Sequence, residues 1–186
     1  MDNFAEIPDV PENVKKFVEA ISEKIGNFEA NLFESHCKEY FACYLDNSPI
    51  EQLLFTALSA VAHIWNAFFK DKIEIEPQKE IGKYRVDFVI SHCKIDENDK
   101  TTINNIAVEC DSQQFHERSE EERRYEKKRD RHLLQQGLKI FHYTGKEIIE
   151  SPFKVAHDII KNLTGSEWGG YEIIKIDADS LRGDSV

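Results

Sequence analysis

The sequence predicts an α/β fold, in which a mixed sheet of four or five strands is flanked by helices and follows a helical N-terminal extension. Two observations lead to this prediction. Apolar residues recur at helical spacing in the N-terminal part of the chain. Further along, segments in which apolar and polar residues alternate as in strands are interspersed with segments of helical spacing. A chain of 186 residues, 40% of them hydrophobic, can bury one sizeable core. We expect a helical extension over 1–45, an α/β core over 46–165, and a C-terminal strand and tail over 166–186.

One or two amphipathic helices are predicted over residues 11–44, where the apolar spacing is broken only weakly around Gly26. Their apolar stripe should pack on the main body of the protein. Another helix is predicted over 48–69, with Ser48 as N-cap, Pro49 at the first helical position and Glu51 as the acid of a capping box. This segment is apolar almost all round, so we expect the helix to be central and buried.

Strands are predicted after these helices, at Lys72–Gln78, Tyr84–Ile90 and Ile106–Cys110. Pro77 lacks an N–H group, so it either confines the first strand to an edge of the sheet or marks its end. The polar segment DENDKTT between the second and third strands is typical of a connection in an antiparallel hairpin.

The rest of the core alternates between helix and strand. The pattern predicts a charged helix over Ser119–Gln136 that Gly137 closes, a strand over Leu138–Tyr143 and a helix over Gly145–Asn162. A strand, a helix and a further strand in this order predict a right-handed crossover, so the third and fourth strands should be parallel.

The composition restricts the class of protein. A net charge of -11 argues against non-specific coating of nucleic acid, which requires Lys and Arg to neutralise phosphates. No apolar run approaches the roughly 20 residues that a membrane span needs, so no membrane partner is expected. The four cysteines form no CxxC pair and the N-terminus has no apolar signal core. We therefore expect a cytoplasmic protein.

Acidic residues occur on three predicted elements: Glu51 on the buried helix, Asp87 in the second strand, and Glu109 with Asp111 in the third. Residues two apart on a strand share a face, so Glu109 and Asp111 would lie side by side. We expect Arg85 to point to the other face of its strand and to be a poor partner for Asp87. Converging carboxylates favour a hard divalent cation, Mg²⁺ or alternatively Mn²⁺, held by Asp87, Glu109 and Glu51. The alternatives are a helix-capping role for Glu51 and a solvated strand end for the acid pair.

These acids stand in a recognisable order: Glu51, YRVDFVI with Asp87, IAVECD with Glu109, then a helix and the strand GLKIFHYT. The order resembles the PD-(D/E)XK nuclease superfamily, and most closely the very-short-patch-repair-like endonucleases with their uncharacterised bacterial relatives. Those proteins share a Glu-x-Asp-x-x-x-x-His-like stretch, here Glu109 to His116, and an Asp-x-x-Arg on the later helix, here Glu126 to Arg129. The resemblance covers roughly residues 48 to 150.

The resemblance implies a restriction-endonuclease-like core and a metal-dependent endonuclease that acts on DNA in preference to RNA. It implies catalytic roles for Glu51, Asp87, Glu109, Asp111 and His116. The superfamily pattern has a lysine where Asp111 stands, so Asp111 or His116 would handle the proton that the lysine handles elsewhere. The missing lysine leaves open a catalytically weakened nucleic-acid-binding module, and the charge of -11 leaves open a protein-interaction domain.

Two features are candidates for nucleic-acid contacts. Gln78 resembles a glutamine of the family's site. The charged helix also carries a basic stripe of five residues that recur at one- to four-residue steps: Arg123, Arg124, Lys127, Lys128 and Arg131. The stripe would bind phosphate, or alternatively it belongs to a solvated helix with i to i+4 ion pairs.

Overall fold

A computed structural model describes residues 10–25, 27–45, 48–111 and 119–167 of the chain. It contains six helices and four strands in the described residues. In chain order they are α1 (Glu12–Ile25), α2 (Asn27–Cys43), α3 (Pro49–Phe68), β1 (Lys72–Ile81), β2 (Tyr84–Ile95), β3 (Thr101–Asp111), α4 (Glu120–Gln135), β4 (Lys139–Thr144), α5 (Gly145–Glu150) and α6 (Pro152–Thr164). The predicted α/β class is confirmed.

The four described strands form one mixed sheet in the order β1-β2-β3-β4. β1 pairs with β2 and β2 with β3 in antiparallel fashion, whereas β3 and β4 are parallel. The hairpin predicted at DENDKTT and the parallel pairing of the third and fourth predicted strands are therefore confirmed. Pro77 lies within β1, which is an edge strand of the described sheet. An edge position tolerates proline because the missing N–H would have faced away from the neighbouring strand.

All three strands of the meander are longer than the sequence pattern predicted. The pairing of β2 with β3 continues to Ile95 opposite Thr101, beyond the apolar segments used for the prediction. Backbone pairing needs no apolar side chain, so exposed polar residues extend the hairpin past the core. β1 likewise continues to Ile81, which pairs with Tyr84 across a tight turn. Gly82 in that turn has φ +63, a conformation that favours glycine.

The larger core lies between the sheet and α1, α2, α3 and α6. α3 is buried along most of its length, as predicted. The N-terminal helices contribute Val14, Phe17, Ile21 and Phe41 to the same cluster as Phe88 of β2. The ring of Phe17 lies 5.3 Å from that of Phe153 in α6. The predicted packing of these helices on the main body is thus observed.

The C-terminal half departs from the prediction at one point. The helix predicted over 145–162 is split into α5 and α6, because Pro152 has no N–H to continue the first helix and instead occupies the first turn of the second. The predicted C-terminal strand lies outside the described residues. Among the helices that the structure describes, none has the length and apolar character needed to span a bilayer.

Candidate active site

Asp87 and Glu109 lie side by side because their strands are paired in antiparallel register. Phe88 is the partner of Val108, and Asp87 and Glu109 are the next residues of their strands beyond this pair. The Oδ2 atom of Asp87 accepts a hydrogen bond of 2.7 Å from the backbone N–H of Cys110. This bond holds the half-buried Asp87 carboxylate against β3.

Glu109 is buried, with 6% of its surface exposed. Nη1 of Arg129, on α4, donates to its Oε2 atom at 3.0 Å. The other carboxylate oxygen, Oε1, is buried and has no hydrogen-bond partner in the part of the chain that the structure describes. Only one of the two carboxylate oxygens of Glu109 is therefore hydrogen-bonded. Leaving a buried polar atom without a partner costs about 1–3 kcal/mol.

Glu51 reaches the cluster from the first turn of α3. Its Oε2 atom accepts a hydrogen bond from Nε2 of Gln78 in β1. Gln78 has φ +53, and a left-handed backbone is strained for a residue with a side chain. Its neighbours Pro77 and Lys79 pair with Phe88 and Val86, so Gln78 lies opposite Asp87. The amide thus lies between α3 and the two strand acids.

Burial and mutual repulsion raise the pKa of all three carboxyl groups. Desolvation is the main cause of the raised pKa of Glu51 and of Asp87. In both groups, hydrogen bonds and the charge of Arg85 act in the opposite direction and lower the pKa. Desolvation and the neighbouring Asp87 raise the pKa of Glu109 to about 8, although Arg129 opposes the shift. One guanidinium therefore does not balance the negative charge of the cluster.

Asp111 extends the cluster toward β4. The Nδ1 atom of His142 lies 3.8 Å from its Oδ2 atom, and Nε2 of the same ring lies 3.7 Å from Oδ1 of Asp130. His142 is therefore placed between two carboxylates, one from β3 and one from α4. The parallel register of β3 and β4, which pairs Glu109 with His142, brings the histidine to this position.

A family model of restriction-endonuclease-like proteins, REase_MTES_1575, matches residues 61–163, which is more than half of the chain. The chain belongs to this family. Membership supports nuclease activity in general and a nucleic-acid substrate. No curated protein and no solved structure matches the chain significantly. The region that matches the restriction-endonuclease-like family contains Asp87, Glu109 and Arg129, whereas Glu51 lies before it.

The structure brings together four of the acids that the sequence singled out: Glu51, Asp87, Glu109 and Asp111. His116 lies outside the described residues. Sequence reasoning missed Asp130 and His142. The signal for His142 was present, because a parallel crossover aligned on IAVECD and KIFHYT sets the histidine beside the acid pair.

Two expectations about individual residues were wrong. Glu51 does not complete a capping box, because the Ser48 side chain makes no capping hydrogen bond and interacts with the Glu51 carboxylate instead. Arg85 was expected to be a poor partner for Asp87, yet its charge lowers the pKa of both Asp87 and Glu51. Arg85 lies two residues before Asp87 on β2, and residues at this spacing share a face of a strand, so the expectation that Arg85 faces away was wrong.

No group of three His, Cys, Asp or Glu side chains within the described ranges is arranged to hold a metal ion. Two of the acids already have protein partners, because Arg129 binds one oxygen of Glu109 and the Cys110 amide binds Asp87. The donor set nevertheless fits a hard cation. All of its members are carboxylates, and the unpartnered Oε1 of Glu109 is an oxygen ligand with no competing hydrogen bond.

The basic stripe lies on the outer surface of α4. Its five residues are all exposed: Arg123, Arg124, Lys127, Lys128 and Arg131. Helical spacing sets them on the side opposite Arg129, whose guanidinium faces the acids. Arg124 forms an exposed ion pair of 2.9 Å with Glu120, one turn earlier. Arg124 thus forms the kind of i to i+4 ion pair that is expected if the helix is simply solvated. Whether the stripe as a whole binds phosphate stays a prediction.

Proposed function

We propose that this protein is a metal-dependent endonuclease that hydrolyses phosphodiester bonds in DNA, in preference to RNA, and is most similar to the very-short-patch-repair-like enzymes. One observation carries the proposal. Carboxylates from α3, β2 and β3 converge in a cluster whose negative charge Arg129 alone does not balance. Such an arrangement is costly unless it serves a cation or a substrate.

Asp87, Glu109 and Glu51 are the residues that would hold Mg²⁺, with Mn²⁺ as the alternative ion. When bound, such an ion stabilises negative charge on the phosphate and lowers the pKa of a coordinated water. The raised pKa of Glu109 and its unpartnered oxygen support this assignment, because a nearby cation would favour the charged carboxylate and supply the missing partner.

Other residues of the chain position these acids. Arg129 fixes one oxygen of Glu109, so the second oxygen keeps a defined direction. Gln78 does the same for Glu51. Asp111, next to His142, accepts the proton from the attacking water in place of the lysine of the superfamily pattern, and His116 is the alternative acceptor.

A strongly acidic protein needs local positive charge near its site in order to bind the phosphates of a nucleic-acid substrate. Arg85 is exposed and acts electrostatically on the acid cluster, so it is suited to contact the scissile phosphate. The basic stripe of α4 contacts phosphates farther along the duplex. These local contacts offset the net charge of -11.

Cleavage of supercoiled plasmid tests the proposal, with Mg²⁺, Mn²⁺, Ca²⁺ or chelator and with RNA as a parallel substrate. We expect cleavage with Mg²⁺ or Mn²⁺, and its loss in Asp87→Asn and Glu109→Gln. Glu97→Gln, at an exposed position outside the cluster, is the matched control and should cleave like the parent protein. Calorimetry and thermal melting should show that the parent binds Mg²⁺ and is stabilised by it, whereas the two ligand variants are not. A parent protein that neither cleaves nor binds these ions contradicts the proposal.

A catalytically weakened nucleic-acid-binding module is the second candidate. It is favoured by the presence of Asp111 where the superfamily pattern has lysine, and it predicts salt-sensitive binding without cleavage. In either case, replacing Arg123, Lys127 and Arg131 together by Ala should flatten the plot of log K against log salt by about one unit for each lost contact. An unchanged slope would assign the stripe to solvent or to another partner.

A further inference from the structure

A groove of about 730 Å³ lies between α2, α3 and β1, and none of the acids of the cluster lines it. Four consecutive residues of β1, 73–76, line it together with both helices. Side chains of a strand alternate between its two faces, so a wall made of consecutive residues is the backbone edge of the strand. The groove therefore runs along the outer edge of β1.

This edge has hydrogen-bonding capacity. The side chain of Asn66 accepts from the Ile73 N–H at 2.8 Å and donates to the Ile73 carbonyl at 3.0 Å, in the manner of a neighbouring strand. In an antiparallel pair, every second residue directs both backbone groups away from its partner. The N–H and C=O of Ile75 are thus directed outward as well. Pro77, the next residue of that set, has no N–H and ends the run of donors.

The helical walls add specific chemistry. Ser59 is 7% exposed and lines the groove, and its hydroxyl has no hydrogen-bond partner among the described residues. The ring of Tyr40 is stacked on Phe55 at 4.9 Å, and the ring of His36 lies 4.5 Å from that of Tyr40. These contacts form a fixed aromatic wall beside a buried polar group that lacks a partner.

The rim of the groove is acidic. Glu39, Glu74 and Glu76 line it, and no Lys or Arg is among the described lining residues. Glu76 also forms an ion pair with Lys79, so Glu39 and Glu74 contribute most of the negative charge. Phosphate groups would be repelled here, whereas a Lys or Arg side chain would be attracted.

We propose that this groove binds an extended, basic segment of a partner protein. The segment adds to the edge of β1 and pairs with the backbone of Ile75. Its apolar or aromatic side chains pack against Tyr40 and His36, while its Lys or Arg side chains meet Glu39 and Glu74. Strand addition combines backbone pairing for affinity with alternate side chains for specificity, and the described features supply both. The acidic rim disfavours single-stranded nucleic acid as the occupant.

A phage-displayed library of random peptides, selected on the full chain, provides the probe. We expect enrichment of peptides in which Lys or Arg alternates with apolar or aromatic residues. A fluorescent synthetic copy of a selected peptide is then titrated by anisotropy at two salt concentrations. The double variant Glu39→Gln/Glu74→Gln should bind about tenfold more weakly and with a smaller salt dependence. Its charge-matched control, Glu19→Gln/Glu97→Gln, changes two exposed glutamates outside the groove and should bind like the parent.

Ile75→Pro removes one outward N–H and should also weaken binding, provided that its thermal unfolding remains cooperative. The groove residues lie outside the proposed metal site, so plasmid cleavage should be the same in the parent and the glutamine variants. Failure to enrich any peptide, enrichment of acidic peptides, or equal binding by the groove and control variants would each overturn the proposal. So would single-stranded DNA that competes with the selected peptide for the groove.

Discussion

The two faces of the sheet differ greatly in the number of apolar side chains that are buried against them. One face packs against α1, α2, α3 and α6 in a core that includes Phe17, Phe41, Phe55 and Phe88. The other face is covered by α4 and has a small cluster of five buried residues: Val86, Val89, Ala107, Leu133 and Leu138. The large core stabilises the scaffold, and the small one holds a single helix in place.

The acid cluster lies where these two supports meet. Glu51 enters from α3, on the side of the large core, whereas Arg129 enters from α4, on the side of the small one. Damage to the large core should therefore unfold the protein, while damage to the small core should first disturb the charge balance of the site.

Removal of the N-terminal helices should have the largest effect. Deleting residues 1–45 strips Val14, Phe17, Ile21 and Phe41 from the large core and exposes the apolar surface that they cover. We expect an aggregation-prone product without a cooperative melting transition, as judged by size-exclusion chromatography and circular dichroism. A soluble, cooperatively melting truncation would show that the helices form a separate module.

Arg129→Met tests the link between α4 and the acids. Above pH 8, where Glu109 carries its charge in the parent protein, losing the guanidinium should cost about 3–5 kcal/mol of unfolding free energy, because a buried carboxylate is left without its partner. Below that pH, Glu109 is protonated and the loss should be smaller. Arg131→Met, at an exposed position on the same helix, is the control for urea unfolding at both pH values. A loss of the same size at both pH values would contradict the role of the charge.

Leu133→Ala weakens the small core itself. Leu133 is fully buried, so we expect a loss of about 3 kcal/mol by urea unfolding, within the usual range for buried leucine. Its neighbour Leu134 is 57% exposed, and Leu134→Ala should change the unfolding free energy by less than about 0.5 kcal/mol. Equal losses in the two variants would mean that α4 does not pack through Leu133.

The smallest expected effect is a change in pH dependence. The pKa of Glu109 is raised from 4.5 to about 8 on folding, so the unfolded chain loses this proton first as the pH rises. Metal-free parent protein should therefore lose stability between pH 4.5 and 8, and Glu109→Gln should remove at least about 1 kcal/mol of that loss. Melting in chelator across this range is the measurement, with Glu97→Gln as control. A parent stability that is flat or rises over this range would contradict the raised pKa.

The order of the elements could be predicted from the sequence. Hydrophobic periodicity and turn residues are local signals, and the crossover rule depends only on the order of strands and helices. Prediction from the sequence failed where a distant partner decides the role of a residue. Ser48, Pro49 and Glu51 form a good local capping signature, yet Gln78, 27 residues away, binds the carboxylate. No periodicity in a single sequence reports such a contact. Helix spacing likewise suggested the stripe of α4 but could not show that its residues face away from the acids.

The first turn of α4 has a consequence for how phosphate can be held. Ser119 and Glu122 cap each other's backbone amides, and Glu120, Glu121 and Glu122 crowd the same turn. The free amides and positive dipole that make many helix ends anion sites are thus already used or opposed by charge. In the proposed nuclease, phosphate is therefore held by long arginine and lysine side chains rather than by a backbone cradle. Such contacts adjust to small shifts of the DNA, so they favour binding that tolerates variation in local backbone geometry.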